Sequence, residues 1–354
     1  MNKLLIIGNG FDLAHGLKTR YSDFLVWYLN QLVKKHYESN NLNKYEDELA
    51  IIKGVFKFTG TIKSIEDFKT LMGKNLGPSV EYKDDFLEKL IDICEHSQWV
   101  DIEREYFNLL KELVDYSIKD NGANLSYVIS LVKKLNVQFD FLKEKLIEYL
   151  KTLKINSQLC NSSIAANLEM IIHEDDKDDG IAHHGDNVCI LNFNYTNTLK
   201  IYNKEHSGVF PLNGINIHGS LNSHLGNIIF GYGDEMDPFY QSIENLNSNE
   251  LLRNIKSFSY LKNGNYQKFR LFTDSAKFKV YILGHSCGLS DRILLNSIFE
   301  HVNCESIMIY YHKRSTTDND YTEKTMEISR HFSPQHKDLM RRRIVPFDKC
   351  RPLT

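Results

Sequence analysis

The sequence predicts an α/β protein whose strands form one parallel sheet. Short apolar runs that end at a glycine or an asparagine occur at the start of the chain and again in its second half. Stretches with apolar residues at helical spacing separate several of these runs. Short apolar strands are typical of sheets buried on both faces, and strands that alternate with helices are typical of parallel sheets. We therefore expect the first run, residues 3–7, to pair in one sheet with the runs at 188–193 and 278–283.

The remaining elements follow from the same patterns, taken in chain order. Ser22 predicts a helix N-cap, with Asp23 in the first turn and an apolar helical pattern behind it. Strands after the first are predicted at residues 188–193, 214–217, 227–230, 278–283, 306–310 and 344–347. Helices between them are predicted at residues 197–202, 250–261 and 291–299.

The stretch 40–155 differs in character, because amphipathic helical spacing replaces the short apolar runs. Members of the clearest series stand three or four residues apart, which predicts a helix with one buried face. They are Leu135, Phe139, Leu142, Leu146, Tyr149 and Leu153. We predict packed helices that cover a core of their own.

A polar stretch at residues 173–186 follows, with three histidines and six acidic residues. A glycine-containing acidic run is typical of a solvated segment rather than of a metal site. The apolar strands return after it. We therefore predict three parts: the first strand and helix of an α/β domain at residues 1–39, a mainly helical insertion at 40–180, and the remainder of the α/β domain at 181–354.

Composition limits the classes of partner. The net charge of −3 gives no electrostatic argument for nucleic acid or for a membrane surface. No run approaches the roughly 18 apolar residues of a membrane span, and the first residues lack the apolar region of a signal peptide. The six cysteines are scattered without a CxxC pair, which fits a reducing compartment and gives no support to a zinc site. We expect a cytoplasmic protein with no metal and no membrane partner, and nucleic acid is not an expected partner.

The first motif, GNGFD at residues 8–12, follows the first predicted strand. A Gly-x-Gly turn at a strand end lets the backbone approach a phosphate group without hindrance from a Cβ atom. The full G-x-G-x-x-G pattern is absent, so a tight turn without a ligand is the alternative. If Gly8 and Gly10 do contact a phosphate, we expect Gly10→Val to abolish nucleotide binding and to leave the fold nearly intact.

The second and third motifs also end predicted strands. LNFNYTNTL (residues 191–199) places Asn194 at a strand end, and INIHGSL (residues 215–221) places His218 at the next one. The carboxyl ends of strands in open α/β sheets face the ligand crevice. A neutral imidazole there can accept a proton from a sugar hydroxyl near pH 7. The alternatives are an asparagine that closes a turn and a histidine with a structural role.

The fourth motif, VYILGHSCGLSDRILL (residues 280–295), carries a strand into a helix. Small residues and free amides at such a turn suit contacts with a phosphate or a ribose, and Gly284 and Ser286 are the candidates. Ser290 predicts the N-cap of the helix, with Asp291 in its first turn. The four motifs together make the α/β domain a candidate nucleotide-binding domain.

GHSCG also matches the G-x-S-x-G turn that presents the nucleophile of α/β hydrolases. That alternative needs an acid and a histidine later in the chain, and it leaves the first three motifs unexplained. The candidates for these two roles are Asp318, Asp320, His331 and His336.

The opening of the chain resembles the bacteriophage abortive-infection AbiH family, whose members begin with an apolar strand, GNGFD and a G-L-x-T-x-Y-x-D-F segment. This chain carries GNGFD at residues 8–12 and matches that segment from Gly16 to Phe24. Its GHSCGLSDRILL also resembles the C-terminal signature of the family. The resemblance implies a protein of anti-phage defence with a phage-derived trigger as partner.

The motifs also resemble, more distantly, those of sirtuin-like domains. Residues 8–12 match the GAGIS pattern of that fold, 194–196 its asparagine motif, 218–219 its histidine motif and 284–286 its late G-T-S turn. Such domains bind NAD and cleave its glycosidic bond to nicotinamide, and related domains in several phage-defence proteins destroy NAD. The resemblance implies a sirtuin-like, doubly wound parallel sheet of Rossmann-like type, with NAD as substrate or ligand.

The same resemblance implies a set of site residues. Asn194 positions the ribose and the attacking water, and His218 accepts a proton. The residues implied to bind NAD are Gly8, Asn9, Gly10, Phe11, Asp12, Tyr195, Gly219, Gly284, His285 and Ser286.

Four positions depart from the sirtuin pattern. Asp12 stands at a usual serine, Lys18 at a proline, Thr196 at an aspartate and His285 at a threonine. The zinc-binding cysteine module is absent, so protein deacetylation is not expected. With these departures, the matching motifs support a nucleotide site better than they support a particular reaction.

Two alternatives to NAD hydrolysis therefore stay open. The first is a non-catalytic, nucleotide-binding sensor or interaction module. The second is a metal-dependent nuclease that uses acids such as Asp12, Asp234 and Asp291. A homo-oligomer is compatible with each of these functions.

Overall fold

The computed structural model describes residues 1–39, 44–55, 60–73, 77–96, 101–119, 122–173, 188–203, 214–221 and 228–354. The chain divides into two compact units. The first unit comprises Met1–Leu17, Lys154–Asp237 and Ile255–Thr354, and the second comprises Lys18–Leu153 and Pro238–Asn254.

Strands and helices are numbered here in chain order within the described residues. The strands are β1 (Asn2–Ile7), β2 (Lys44–Glu46), β3 (Ala50–Lys53), β4 (Ser79–Tyr82), β5 (Val188–Asn192), β6 (Gly214–Asn216), β7 (Phe278–Leu283), β8 (Cys304–Tyr311) and β9 (Arg351–Pro352). The helices are α1 (Asn9–Ala14), α2 (Tyr21–Glu38), α3 (Ile65–Met72), α4 (Asp85–His96), α5 (Ile102–Lys119), α6 (Leu125–Thr152), α7 (Ser162–Ile172), α8 (Tyr240–Asn245), α9 (Asn249–Leu252), α10 (Lys256–Tyr260), α11 (Asn265–Ser275), α12 (Arg292–Phe299), α13 (Tyr321–His331) and α14 (Lys337–Arg343).

The first unit is built on a six-stranded sheet in the order β6-β5-β1-β7-β8-β9, and every pairing in it is parallel. Leu5 of β1 lies opposite Ile190 of β5 on one side and Tyr281 of β7 on the other. The predicted pairing of the first strand with these two later strands is confirmed. Counted along the chain within this sheet, the order is 3-2-1-4-5-6, the Rossmann-like doubly wound order, which reverses between β1 and β7.

Both faces of this sheet are covered by apolar side chains. Leu4 and Ile6 of β1 belong to one buried cluster, and Leu5 and Ile7 belong to the other, because successive side chains of a strand point to opposite faces. Helices α12 and α13 contribute to the first cluster, and α7 contributes to the second. This double cover explains why β1 reads as a continuous apolar run rather than as an alternating one.

The second unit is mainly helical, with a small antiparallel sheet in the order β2-β3-β4. Helix α6 runs for 28 residues, and its buried residues include Leu135, Phe139, Leu142 and Leu146. The helix that the spacing predicts there is confirmed. The strands β2, β3 and β4 have three or four residues each, too short to leave a clear apolar pattern in the sequence.

Several predicted elements differ in the structure. Residues 228–230 form no strand, and residue 227 lies outside the described residues, as does the polar stretch after residue 173. Ile344 makes only an isolated bridge to Ile307, and β9 takes the edge of the sheet instead of the predicted strand at 344–347. The predicted helix 250–261 is divided into α9 and α10, and residues Thr198–Tyr202 form a 3-10 turn.

Two helix starts also differ from their prediction. Helix α2 begins at Tyr21 rather than after Ser22, and the Asp23 carboxylate accepts the Arg20 backbone N–H at 3.3 Å, which closes the first turn. Helix α12 begins at Arg292, after a 3-10 turn at Leu289–Asp291. The Asp291 side chain makes no capping hydrogen bond to this helix and contacts Lys256 and His218 instead. Among the described helices, none is both long enough and apolar enough to cross a bilayer.

Candidate functional site

The four motifs meet at the carboxyl ends of β1, β5, β6 and β7. Asn194, after β5, donates from Nδ2 to the Gly8 carbonyl after β1 at 3.0 Å. Gly8 N–H in turn donates to the carbonyl of Leu283, the last residue of β7, at 3.3 Å. His218, after β6, contacts Asp291 of the fourth motif. This edge adjoins the point where the strand order reverses, which is where doubly wound sheets bind their ligands.

Three glycines let Gly8 and the first turn of α1, which follow β1 directly, pack against the loop after β7. The Gly10 amide donates to the Gly284 carbonyl at 2.7 Å. A Cβ atom at Gly284, whose φ is +72°, would lie 2.2 Å from the backbone nitrogen of Phe11, and a Cβ atom at Gly8 would lie 2.5 Å from the Cα of His285. The close approach that the sequence suggested for a phosphate is, in this structure, an approach of the start of α1 to the loop after β7.

The same packing changes the expectation for valine at position 10. A Cβ atom at Gly10 would lie 2.6 Å from the carbonyl oxygen of Gly284. Real Cβ atoms do not approach a backbone oxygen so closely, so α1 and the loop after β7 have to separate. The expectation that Gly10→Val leaves the fold nearly intact is therefore wrong, and this variant is a poor probe of binding.

A buried polar group, here named the His218 cluster, lies at the same edge and consists of His218, Lys256, Tyr260, His285 and Asp291. Lys256 Nζ lies 2.7 Å from Asp291 Oδ1, and His218 Nε2 lies 3.2 Å from the same oxygen. The Tyr260 hydroxyl is 3.1 Å from His218 Nε2. Relative exposure is 4% for His218, 1% for Lys256 and 8% for Asp291. Burial makes these contacts strong, because little water screens them.

The charges within the His218 cluster follow from burial and from these contacts. Burial lowers the pKa of His218, and the Lys256 ammonium lowers it further. Burial favours the protonated form of Asp291, but Lys256 and His218 outweigh it and hold the pKa of that carboxyl well below its usual range. The cluster therefore joins a charged Lys256–Asp291 pair to an imidazole that is neutral at pH 7.

His285 has a defined tautomer. Its Nδ1 accepts the backbone N–H of Cys287 at 2.9 Å, so the ring proton sits on Nε2, which faces Asp291 Oδ2 at 3.7 Å. Burial lowers the pKa of His285 to about 3. The Phe193 ring packs between the two imidazoles, with centroid distances of 5.1 Å to His218 and 4.2 Å to His285. His285 is thus a neutral ring whose Nε2–H faces Asp291 at more than hydrogen-bond distance.

A second buried polar group lies at the junction of β1 and β5. The Asp12 carboxylate accepts the Thr196 hydroxyl through Oδ2 at 2.6 Å, and no donor among the described residues reaches its Oδ1. Asp12 is 1% exposed, and burial raises its pKa to about 6, against the hydrogen bond from Thr196. Asn192 supports this region, because its side chain accepts the Asn194 N–H at 3.0 Å and donates to Asn216 of β6 at 2.9 Å.

We predict that Asp12→Asn stabilises the protein near pH 7.5. The folded pKa of about 6 lies above the ordinary 3.8, so the stability that Asp12 contributes is fully present below pH 3.8 and is lost as the pH rises through 6. The variant should exceed the wild type in free energy of unfolding by about 1–3 kcal/mol at pH 7.5, and the gain should disappear near pH 4.

Urea denaturation at both pH values measures this gain. Asp348→Asn, at an exposed position of the same unit, is the control and should change stability by less than about 0.5 kcal/mol. A variant less stable than the wild type at pH 7.5 would mean that the Asp12 carboxylate is stabilised in the folded protein.

The other predicted site residues occupy the same edge in different ways. Asn9 begins α1, and Phe11 is fully buried against His15 and Tyr202. The Tyr195 hydroxyl donates to the Ile229 carbonyl at 3.1 Å. Gly219 has a left-handed backbone conformation with φ +84°, and the Ser286 side chain is half-buried.

The hydrolase alternative gains no support from the described contacts. His331 Nε2 bonds the Cys287 carbonyl at 2.8 Å rather than Ser286. His336 bonds Ser333 and Glu300. The two acids have their own partners: Asp320 accepts the His312 N–H, and Asp318 pairs with Arg314.

The nuclease alternative also gains no support. Asp234 pairs with Arg292 at 3.2 Å, Asp291 pairs with Lys256, and Asp12 bonds Thr196. In the described part of the chain, no three His, Cys, Asp or Glu side chains stand where they can hold one metal ion.

The sequence patterns do not identify Lys256 and Tyr260 as site residues. They place Asp291 only in the first turn of a helix or among the metal-binding acids of a nuclease. A lysine and a tyrosine in a short amphipathic stretch carry no sign of burial. The one available signal was Asp291 itself, an acid directly after the glycine-containing turn of the fourth motif.

A comparison with protein-family models matches residues 4–312 to the family described as Bacteriophage abortive infection AbiH. No curated protein and no solved structure matches the chain. The matched residues include all four motifs, β1 from Leu4 onward, the whole of β5, β6, β7 and β8, and the whole His218 cluster. The resemblance noted in the sequence is thereby confirmed, and the chain belongs to the AbiH family of bacteriophage abortive infection proteins.

Proposed function

We propose that this protein acts in abortive infection by binding NAD at the carboxyl edge of its sheet and hydrolysing it to nicotinamide and ADP-ribose. One observation carries the proposal. His218 and Asp291 lie 3.2 Å apart at the edge where a doubly wound sheet takes up its ligand. A histidine paired with a carboxylate at such a place is typical of a general base.

The chemistry needs one base. Water attacks C1′ of the nicotinamide ribose, the C1′–N bond breaks, and nicotinamide leaves with the electron pair through an oxocarbenium-like transition state. The proton of the attacking water, or of a ribose hydroxyl, passes to His218. Nicotinamide leaves as a neutral molecule, so its departure needs no acid. Asn194 orients the ribose and the water beside Gly8, to which it is already bonded.

Nucleotide binding without turnover is the second candidate, and a specific observation favours it. Two donors that the sequence offered to the ligand are engaged within the protein, since Gly10 N–H bonds Gly284 and the Asn194 amide bonds Gly8. A sensor module, opened by a phage-derived trigger, uses the same edge but releases no nicotinamide.

The test is to incubate the purified protein with NAD and to follow nicotinamide release by chromatography, beside calorimetric binding of NAD. Cellular NAD is then measured after phage infection in cells with the wild type and with Asn194→Ala. We expect nicotinamide release, a fall of NAD in infected wild-type cells, and loss of both turnover and protection in Asn194→Ala. If NAD stays level while the wild type protects, hydrolysis is excluded, and retained NAD binding then identifies the sensor.

The pH dependence of turnover gives a separate prediction. His218 accepts a proton only when it is neutral, and burial followed by the Lys256 charge lowers its pKa from 6.5. The acid limb of turnover should therefore have its midpoint below pH 6.5. A rate profile from pH 4.5 to 8.5 at saturating NAD measures this limb, and a midpoint above 6.5 would contradict the assignment.

A further inference from the structure

One carboxylate oxygen contacts both Lys256 and His218 in the His218 cluster. Asp291 Oδ1 lies 2.7 Å from Lys256 Nζ and 3.2 Å from His218 Nε2. The other oxygen, Oδ2, faces the Nε2–H of His285 at 3.7 Å. His285 is neutral, so the negative charge of Asp291 is compensated either by Lys256 or by a proton on His218.

The Lys256 ammonium and a proton on His218 are alternative ways to neutralise the Asp291 carboxylate. A buried carboxylate without a counter-ion is costly, and removal of one partner leaves the other group uncompensated. With the Lys256 ammonium in place, Asp291 has no need of a second cation. Without it, the carboxylate draws a proton onto His218, and an imidazolium can no longer act as a base.

We propose that Lys256 is a positioning residue that holds Asp291 Oδ1 and thereby keeps His218 unprotonated and able to accept a proton. The inference rests on the proposed role of His218 as a base, and it names the group that controls it. The Tyr260 hydroxyl, on the same helix α10, also lies within hydrogen-bond distance of His218 Nε2 at 3.1 Å.

The surroundings of His218 contain the groups that any change of its charge state must involve. Lys256 and Tyr260 face it from α10, Asp291 from the turn before α12, and His285 from the loop after β7. Lys324 of α13 binds the His285 carbonyl at 2.9 Å and adds a positive charge to that loop.

The test is a histidine titration by NMR with [13Cε1]histidine, in which the His218 signal is assigned by its loss in His218→Gln. Lys256→Met removes the charge at similar volume, and Lys256→Arg keeps it. Asp291→Asn removes the opposite charge. We expect the His218 midpoint to rise by about one pH unit or more in Lys256→Met, to stay near the wild type in Lys256→Arg, and to fall in Asp291→Asn.

Lys256→Gln covers the case in which Lys256→Met does not fold, because its amide still donates to Asp291 without a charge. It should raise the midpoint in the same direction. An unchanged or lowered His218 midpoint in both neutral variants would overturn the inference. Melting temperatures accompany each titration, since a structural role alone alters stability and leaves the midpoint in place.

The titration separates this inference from the proposed function, because it needs no NAD. A raised midpoint without any NAD turnover keeps the role of Lys256 and refutes hydrolysis. Turnover with an unchanged midpoint refutes the role of Lys256 and keeps hydrolysis. Where both hold, the acid limb of the rate profile in Lys256→Met moves upward by the same amount as the midpoint.

Discussion

His218→Ala is expected to lower NAD turnover by about 10²–10⁴-fold and to leave NAD binding nearly unchanged. That range is the typical contribution of general acid–base catalysis, and it corresponds to about 3–5 kcal/mol of transition-state stabilisation. The imidazole accepts a proton only as the C1′–N bond breaks, so its loss falls on kcat rather than on the dissociation constant. Steady-state kinetics and calorimetry with NAD measure the two quantities.

A second histidine–carboxylate pair provides the control. His301 Nε2 lies 3.0 Å from Asp274 Oδ1 in the same unit, away from the four motifs. His301→Ala removes the same side chain from a more exposed pair, so it should leave turnover within about twofold while costing some stability. Equal losses of turnover in the two variants would show that the effect of His218→Ala is one of folding and not of chemistry.

Gly284→Ala is expected to cost about 3–5 kcal/mol of the free energy of unfolding. Its φ of +72° is a left-handed conformation, which costs an alanine about 1–2 kcal/mol. The added Cβ atom would also lie 2.2 Å from Phe11 N and 2.5 Å from the carbonyl carbon of Gly10, both backbone atoms that cannot rotate away. Steric overlap with a fixed backbone belongs to the severe class of substitutions. Urea denaturation followed by circular dichroism measures the loss.

Gly16→Ala separates the two causes. Gly16 has nearly the same φ, +74°, but a Cβ atom there meets nothing within 4 Å. It should cost only the conformational part, about 1–2 kcal/mol. The difference between the two variants then measures the packing of the start of α1 on the loop after β7. If both variants lose the same free energy, these two segments separate without cost and the glycines are not required for their contact.

The centre of the fold and the family followed from the sequence. An apolar run such as Leu4–Ile7 is compatible with few environments other than a strand buried on both faces, and its glycine end placed it beside β5 and β7. The edge of the sheet was less predictable. An edge strand needs one partner and can be short and polar, as β9 is with Arg351 and Pro352, whereas the more apolar residues 344–347 make only a bridge.

The candidate site also has a part that the sequence predicts and a part that it does not. The sequence by itself determined that Asn194, His218 and the glycine turns stand at strand ends, because the position of a residue relative to an apolar run is a local property. Only the tertiary structure decided that Gly10 packs on Gly284 and that Lys256 is buried against Asp291 beside His218. The spacing of apolar residues shows which face of a helix or strand is buried. The counter-ion of a buried charge comes from a distant segment of the chain, so no local periodicity predicts the contact between them.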